Sequence, residues 1–181
     1  MSANRFALFD TAIGNCGLAW NRKGVVALQL PEATRGATRD RLLRVCPGAQ
    51  EAEPPEEIRR TIEAIAALLR GEARDLSAVV LDMDGVPPFH RRVYTVARAI
   101  PPGQTLTYGE VATRLGDPGA ARAVGRALGR NPFPIIVPCH RVIASGGRLG
   151  GFSANGGAAT KRRILEIEGV GKDAPRLPGI A

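Results

Sequence analysis

The sequence predicts an α/β N-terminal domain, an antiparallel meander plus helices, followed by a mainly helical C-terminal domain. Short stretches with β-branched and aromatic residues, separated by turn formers, fill the first thirty positions. From Phe89 onward, apolar residues recur at helical spacing instead. Turn formers are concentrated from Asp82 to Pro88 between these two patterns. We therefore place the boundary near Gly85, with domains over 1–85 and 86–171 and a flexible tail over 172–181.

In the N-terminal domain the pattern predicts three strands before two helices. The strands are expected over 5–9, 17–20 and 25–30, with turns at Gly14-Asn15 and at 21–24. The helices are expected over 38–45 and 55–69, the second opening with Pro54-Pro55-Glu56-Glu57 and closing at Gly71. A further strand is predicted over 77–81, where the residues are β-branched and aliphatic.

The C-terminal domain opens with the pattern of a helix-turn-helix. Helices are expected over 89–100, over 108–115 with Thr107 as its N-cap, and over 120–129 after a glycine-containing turn. The last of these carries Arg122, Arg126 and Arg130 at a spacing of four, so the three arginines share one face. A solvated surface is the ordinary explanation of such a stripe, but the small residues around it favour a recognition helix that approaches DNA.

The third feature of this domain is a thiol beside an imidazole in Pro138-Cys139-His140-Arg141-Val142. Three prolines exclude a helix over 131–138 and predict a buried, extended arm that presents Cys139. On an extended backbone neighbouring side chains point to opposite faces, so we expect a water to join Cys139 to His140. A cysteine thiol ordinarily has a pKa of about 8.5, so it needs such a base, or a positive neighbour, to become a nucleophilic thiolate.

Glycines then punctuate the chain up to a last predicted helix. Ser145-Gly146-Gly147 and Gly150-Gly151 predict a hairpin or wing, and a mobile loop follows over 152–157. The last helix is expected over 158–168, ending at Gly169 and Gly171.

Charge and cysteine content restrict the class of protein. The 181 residues carry a net charge of +8, and the stretch 87–163 alone has twelve basic and two acidic side chains. This bias predicts a polyanionic partner, with nucleic acid as the natural candidate.

Three scattered cysteines and two histidines lack the spacing of a metal site, so no metal is expected. With no apolar run that could span a membrane and no secretory signal, we expect a cytoplasmic protein.

Five motifs carry a resemblance to a known family. In chain order they are Tyr108-Gly109-Glu110-Val111-Ala112, Ala121-Arg122-Ala123-Val124-Gly125, Asn131-Pro132, Pro138-Cys139-His140-Arg141-Val142 and Glu168-Gly169. Together they resemble the O(6)-alkylguanine-DNA alkyltransferases, which repair alkylated DNA. The resemblance is dense over 89–169, whereas 1–81 matches only in its pattern of strands and helices.

The resemblance implies a fold and a reaction. The N-terminal domain would be RNase H-like and the C-terminal domain winged-helix-like. The alkyl group of O(6)-alkylguanine, and of O(4)-alkylthymine, would pass irreversibly to Cys139, one transfer per molecule and without a cofactor. The partner would be double-stranded DNA bound through the minor groove by a monomer. Because the target atom lies inside the duplex, the base must be extruded first.

The resemblance also implies roles for individual residues. Cys139, His140 and Glu168 would form a relay through water, Asn131 would brace the turn before the arm, and Tyr108 would crowd the target phosphate. The expected DNA contacts are Arg122, which fills the gap left by the base, with Tyr108, Thr107, Ala121, Arg126, Arg130 and Ser145. The expected pocket residues are Val142, Phe152, Ser153 and Arg141. From the sequence alone, a surface glutamate and a helix C-cap are the competing explanations of Glu168 and Asn131.

Two departures from the family pattern concern the pocket. Phe152 stands where many members have a tyrosine, and phenylalanine can stack on a base but cannot donate a hydrogen bond. The loop over 153–160 is about two residues longer than the commonest form, which bears on the range of substrates.

Three other functions compete with alkyl transfer. A module that recognises alkylated guanine and recruits repair factors would share the fold, but such members have tryptophan in place of the cysteine. A cysteine hydrolase would use the pair Cys139 and His140, yet no oxyanion hole is recognisable in the sequence. In a DNA-binding regulator Cys139 would be a buried, inert thiol.

Overall fold

A computed structural model of the chain describes residues 3–171, so the predicted tail lies outside the described residues. The chain divides into two compact units. The first comprises the residues up to Asp84 together with Pro132–Ile136, and the second comprises Gly85–Asn131 together with the residues from Val137 onward. The predicted boundary near Gly85 falls at this division, but the segment 132–136, which the sequence assigned to the second domain, belongs to the first unit.

The first unit is built on a four-stranded sheet in the order β3-β2-β1-β4. Strands β1 (Arg5–Thr11), β2 (Gly14–Asn21) and β3 (Gly24–Gln29) pair antiparallel, which confirms the predicted meander. Strand β4 (Gln50–Glu51) pairs in parallel with β1 and was not predicted, because two polar residues carry no strand pattern. The turns before β2 and β3 use Gly14 and Gly24, whose φ angles of 127° and 141° suit glycine.

The strand predicted over 77–81 does not form. The segment contributes one isolated bridge, in which Leu81 pairs with Val25. The residues just before it turn instead of extending, since the amide of Val79 donates to the carbonyl of Leu76. The aliphatic composition of this segment was therefore not sufficient to predict a strand.

Both predicted helices of this unit form, and the first begins three residues earlier than expected. Helix α1 (Arg35–Val45) begins at Thr34, whose hydroxyl accepts a hydrogen bond from the amide of Ala37. Helix α2 (Glu56–Leu69) begins after Pro55 and has two glutamates in its first turn, where the helix dipole favours negative charge. The buried cluster between α1 and the sheet consists of Phe6, Ala19, Ala27, Leu42 and Cys46.

The second unit contains four helices among its described residues. These are α3 (Pro88–Arg98), α4 (Tyr108–Arg114), α5 (Ala121–Gly129) and α6 (Ala158–Ile167). Thr107 caps α4 as predicted, in a reciprocal capping box with Glu110. The buried hydroxyl of Tyr94 donates to the carbonyl of Ala127 at 2.9 Å, which ties α3 to α5. The predicted helices are thus confirmed, with ends shifted by one or two residues.

The hairpin predicted around Ser145 does not form. Strand β6 (Val142–Ile143) pairs in parallel with β5 (Leu106–Thr107), and Ser145–Gly147 is a short 3-10 turn. The amide of Ala144 donates to the carbonyl of Arg148 across this turn. Gly146, Gly147 and Gly150 have φ angles of 75°, 78° and 72°, so the chain turns repeatedly where a second strand was expected.

Two negative findings apply to residues 3–171. None of their helices is both long and apolar enough to cross a membrane. No group of three or more histidine, cysteine or acidic side chains in this range is arranged to hold a metal ion.

Candidate active site

The arm that leads to Cys139 is buried as predicted but is not extended throughout. The side-chain amide of Asn131 donates to the carbonyl of Val137 at 2.8 Å, so the two ends of the arm lie together. Ile135 has a φ of 71°, and Cys139 begins a 3-10 turn, Cys139–Arg141, instead of continuing a strand. The prediction of an extended backbone at the thiol was wrong, because prolines exclude a helix without excluding tight turns.

This 3-10 turn sets the directions of three neighbouring side chains. In a helix with three residues per turn, successive side chains point about 120° apart. Cys139 lines a cavity, whereas His140 and Arg141 are directed to the carboxylate of Glu168. The thiol and the imidazole therefore point apart because of this 3-10 turn, and not because they lie on opposite faces of a strand.

Glu168 is the centre of a buried charged cluster. Its Oε1 lies 2.8 Å from Nε2 of His140 and accepts a hydrogen bond from Arg141 at 2.8 Å, and its Oε2 accepts a second one from Arg141 at 3.0 Å. Arg141 also donates to the carbonyl of Ile100 at 2.7 Å. The Glu168 side chain is 1% exposed, so the alternative of a surface glutamate at a helix end was wrong.

The cluster keeps Glu168 ionised. Burial alone would raise the pKa of this carboxyl, but the charge that His140 acquires on protonation at acidic pH, the hydrogen bonds of His140 and Arg141, and the charge of Arg141 outweigh it and lower the pKa to about 2. Arg141 is a permanent cation, so it balances the carboxylate charge inside the protein.

His140 is a neutral imidazole with one nitrogen free. Burial lowers its pKa against the opposing effect of Glu168. Because the carboxylate is an acceptor, the hydrogen bond at Nε2 fixes the tautomer with the proton there. Nδ1 is buried and has no hydrogen-bond partner within residues 3–171. The lone pair on Nδ1 can therefore accept a proton.

Cys139 is a protonated thiol at rest. It is 8% exposed, and burial raises its pKa. The side chain of Asn131, the charge of Lys161 and the backbone amides of Cys139 and His140 act in the opposite direction. These groups stabilise the thiolate once a base has removed the proton, so the site holds both a nucleophile and the means to activate it.

Lys161 is a functional candidate that the sequence reasoning missed. It is fully buried, and its Nζ donates to the carbonyls of Val142 at 2.7 Å and Gly151 at 3.3 Å. Burial lowers its pKa to about 8. Its position in the sequence could have indicated this: Lys161 shares a helix face with Ile164 and Leu165, and a charged residue is unusual on such an apolar face.

A cavity of about 440 Å³ opens beside the thiol. It is lined by Tyr108, Gly125, Leu128, Gly129, Cys139, Gly151, Phe152 and Ser153. Phe152 and Ser153 lie where the pocket was predicted. Arg141 and Val142 were predicted there too but do not line it, and Arg141 is turned to Glu168 instead. The size suits a small organic group.

The side chains predicted to contact DNA lie on two helices and one turn. Arg122, Arg126 and Arg130 are all exposed, the last as the C-cap of α5, while Gly125 and Gly129 of the same helix line the cavity. Ala121 is the first residue of α5, and Ser145 is exposed in the 3-10 turn. The hydroxyl of Thr107 already accepts from the amide of Glu110, so its first role is to cap α4.

Comparisons with known proteins bear on the family of this chain. A family model described as the 6-O-methylguanine DNA methyltransferase DNA-binding domain matches residues 88–170. A methylated-DNA–protein-cysteine methyltransferase of Methanothermobacter thermautotrophicus is 41% identical over 154 residues, covering 85% of this chain and 79% of the relative. A protein of that name from Mycobacterium bovis is 37% identical over 163 residues, covering 90% of this chain and 91% of the relative.

A solved structure shares the overall architecture. The crystal structure of Mycobacterium tuberculosis OGT in complex with DNA superposes with a TM-score of 0.72 at 36% identity, covering 91% of this chain and 93% of that chain.

Proposed function

The chain belongs to the family of methylated-DNA–protein-cysteine methyltransferases, DNA repair proteins that transfer an alkyl group to a cysteine, and we propose that Cys139 is its acceptor. One observation carries the assignment: the thiol lines a cavity and is followed directly by a buried, neutral imidazole that a carboxylate fixes in one tautomer. The other two cysteines, Cys16 and Cys46, are buried elsewhere and have no such partner among the described residues.

The reaction is a displacement at carbon. The proton of Cys139 passes to Nδ1 of His140 through a water molecule, and Glu168 and Arg141 hold the imidazole during the transfer. The thiolate attacks the alkyl carbon, a carbon–sulfur bond forms, and the bonding electrons of the carbon–oxygen bond return to O6 of guanine. The product is a thioether with no easy leaving group, so each molecule reacts once.

The base that loses its alkyl group needs a proton as it leaves. Phe152 cannot supply one, since it has no donor. Tyr108 and Ser153 line the same cavity and carry the hydroxyl groups that suit this role. Burial holds the pKa of Tyr108 above its ordinary value, which keeps this hydroxyl protonated at neutral pH. Phe152 then stacks on the base that it cannot protonate.

The substrate is double-stranded DNA with alkylated guanine, bound through the minor groove, and O(4)-alkylthymine is a second substrate. Helix α5 is the recognition helix: Arg122 fills the space of the extruded base, and Tyr108 crowds the target phosphate. Arg126 and Arg130, with Thr107, Ala121 and Ser145, contact the backbone near the lesion. The exposure of the arginines beside a cavity lined by the same helix supports this arrangement.

The finer fold assignments and the setting are also proposals. The order β3-β2-β1-β4, with three antiparallel strands and a parallel fourth, supports an RNase H-like first domain over 1–85. Helices α4 and α5 support a winged-helix-like second domain over 86–171, although the hairpin of a wing is replaced by a 3-10 turn. We expect a cytoplasmic monomer that needs no cofactor.

A count of repaired lesions tests the proposal. Duplex DNA with O(6)-methylguanine is added in excess, and the guanine restored is measured by chromatography of the digested DNA. We expect a plateau at one lesion per protein molecule, with no further repair when fresh duplex is added. Repair that continues past this plateau would mean turnover and would contradict a thioether end product.

Replacing Arg126 with alanine is expected to weaken binding to lesion-containing and undamaged duplex equally. Losing one phosphate contact should reduce the slope of log K against log salt by about 1. Fluorescence anisotropy over a series of salt concentrations measures this. Arg59→Ala on α2, an exposed arginine of the first unit, is the matched control. An unchanged slope for Arg126→Ala would remove this residue from the interface.

Replacing Lys161 with methionine is expected to slow alkyl transfer by about 10- to 100-fold, as small displacements of reacting groups do. The ammonium joins the strand after Cys139 to the Gly151 wall of the cavity, and its charge favours the thiolate. Single-turnover rates at saturating duplex measure the loss, with Arg162→Met, at an exposed position of the same helix, as control. A native rate in the Lys161 variant would show that the lysine is only structural.

A further inference from the structure

The arm that carries Cys139 contains an unusual backbone turn. Among residues 3–171, Ile135 is the one non-glycine residue with a positive φ, 71°. A β-branched residue rarely adopts this conformation, because its side chain crowds the backbone. The amide of Ile136 donates to the carbonyl of Pro134 at 2.9 Å, so Ile135 is the central residue of a three-residue γ-turn. Such a turn with positive φ is rare and strained.

Hydrogen bonds hold this turn in place on both sides. The amide of Leu28 donates to the carbonyl of Pro132 at 2.9 Å. The side chain of Asn131 donates to the carbonyl of Val137 at 2.8 Å. Ile135 itself is 1% exposed, so its side chain is anchored as well. A strained conformation persists only when its surroundings determine it, and these contacts do so.

A second γ-turn connects the arm to the thiol. Pro138 has φ −79° and ψ 67°, and the amide of Cys139 donates to the carbonyl of Val137 at 2.8 Å. This is the relaxed form of the γ-turn, and the proline ring fixes its φ. Two γ-turns, centred on Ile135 and Pro138, therefore shape the backbone just before Cys139.

We propose that Ile135 is a positioning residue for alkyl transfer: its buried, strained γ-turn holds Cys139 where the thiolate meets the alkyl carbon. The inference rests on the proposed function of Cys139. Displacement requires the sulfur to approach the carbon closely and in line, so an arm that relaxes would lose reactive geometry without losing the thiol or its base.

Three substitutions separate the backbone from the side chain. Ile135→Val keeps the β-branch and most of the packing and serves as the conservative control. Ile135→Ala removes packing but keeps a Cβ, so the turn stays strained. Ile135→Gly removes the packing and the strain together, since glycine adopts positive φ freely. The comparison of glycine with alanine isolates the backbone.

Two quantities are measured on each full-length variant: the unfolding temperature and the single-turnover transfer rate at saturating lesion-containing duplex. We expect valine to transfer at the native rate and alanine to transfer close to it despite a lower unfolding temperature. The glycine variant should unfold no earlier than alanine, because an alanine at positive φ is the more strained. It should nevertheless transfer about 10-fold more slowly than alanine, because glycine widens the range of φ and ψ open to this position and the arm no longer holds one conformation.

The outcomes distinguish this inference from the proposed function. Equal transfer rates for the glycine and alanine variants would overturn the inference, while native transfer to Cys139 would leave the proposed function intact. A native protein that gains no alkyl group would overturn both. A slow glycine variant that unfolds no earlier than alanine cannot be explained by stability and supports the positioning role.

Discussion

The variant Cys139→Ser is expected to lose alkyl transfer completely, a fall of at least about 10⁴-fold by comparison with other enzymes that lose their nucleophile. Serine keeps the shape of the site but replaces a soft, ionisable sulfur by an oxygen that remains protonated. Nothing in the recognition helix changes, so binding to duplex with O(6)-methylguanine should stay close to native. Repair of the lesion and anisotropy of the labelled duplex measure the two properties separately.

The control for this substitution is a cysteine that has no role in the proposal. Cys46 is buried at the end of α1 in the first unit, and Cys46→Ala should retain stoichiometric transfer at temperatures below its unfolding. Full transfer by Cys139→Ser would show that another group accepts the alkyl chain. Loss of transfer in Cys46→Ala, with the fold intact, would weaken the assignment in the same way.

The variant Glu168→Gln is expected to destabilise the second unit by about 3–5 kcal/mol, the usual cost of breaking a buried ion pair from one side. The carboxylate accepts from both His140 and Arg141, and the glutamine side chain must present its NH₂ group to one of these donors. Arg141 then remains buried without a counter-charge. Alkyl transfer should fall as well, because the tautomer of His140 is no longer fixed.

Hydrogen exchange of peptides from α6 measures the stability of this unit directly, whereas the single tryptophan, Trp20, reports on the first unit. Glu166→Gln is the matched control, since Glu166 is exposed on the same helix and its loss should cost less than about 0.5 kcal/mol. Equal exchange in the native protein and Glu168→Gln would contradict a buried ion pair.

The same pair of proteins gives a pH dependence with a definite sign. The pKa of Glu168 is about 2 in the folded protein, below its ordinary value. Its contribution to stability is therefore present above the ordinary pKa of a glutamate and is lost as the pH falls toward 2. The native protein should lose its advantage over Glu168→Gln across that acidic window.

The sequence predicted most of the first unit because the relevant signals are local. The residue patterns that mark strands, turns and helix ends each span only a few residues. Strands β1 to β3 and helices α1 and α2 form where these patterns predicted them. The failures have a common cause. Strand β4 and the segment near Leu81 are decided by what they pair with, and two residues or one bridge leave no periodicity in a sequence.

The chemistry of the site was predictable in part. The sequence motifs grouped Cys139, His140 and Glu168 in one relay, and the buried contact of His140 with Glu168 is the one that they suggested. Arg141 was placed in the pocket instead of on Glu168, because the 3-10 turn that directs it has no sequence signature of its own. The turn at Ile135 was missed for the same reason, since prolines restrict φ without saying which way the chain turns.

Mass analysis after reaction with duplex DNA containing O(6)-methylguanine tests the central claim most directly. The intact protein is weighed, then digested, and the peptide that carries Cys139 is sequenced in the mass spectrometer. We predict a gain of one methyl group per molecule, located on the sulfur of Cys139, with Cys16 and Cys46 unmodified. An unchanged mass in a protein that binds the duplex, or a methyl group on any other residue, would contradict the account.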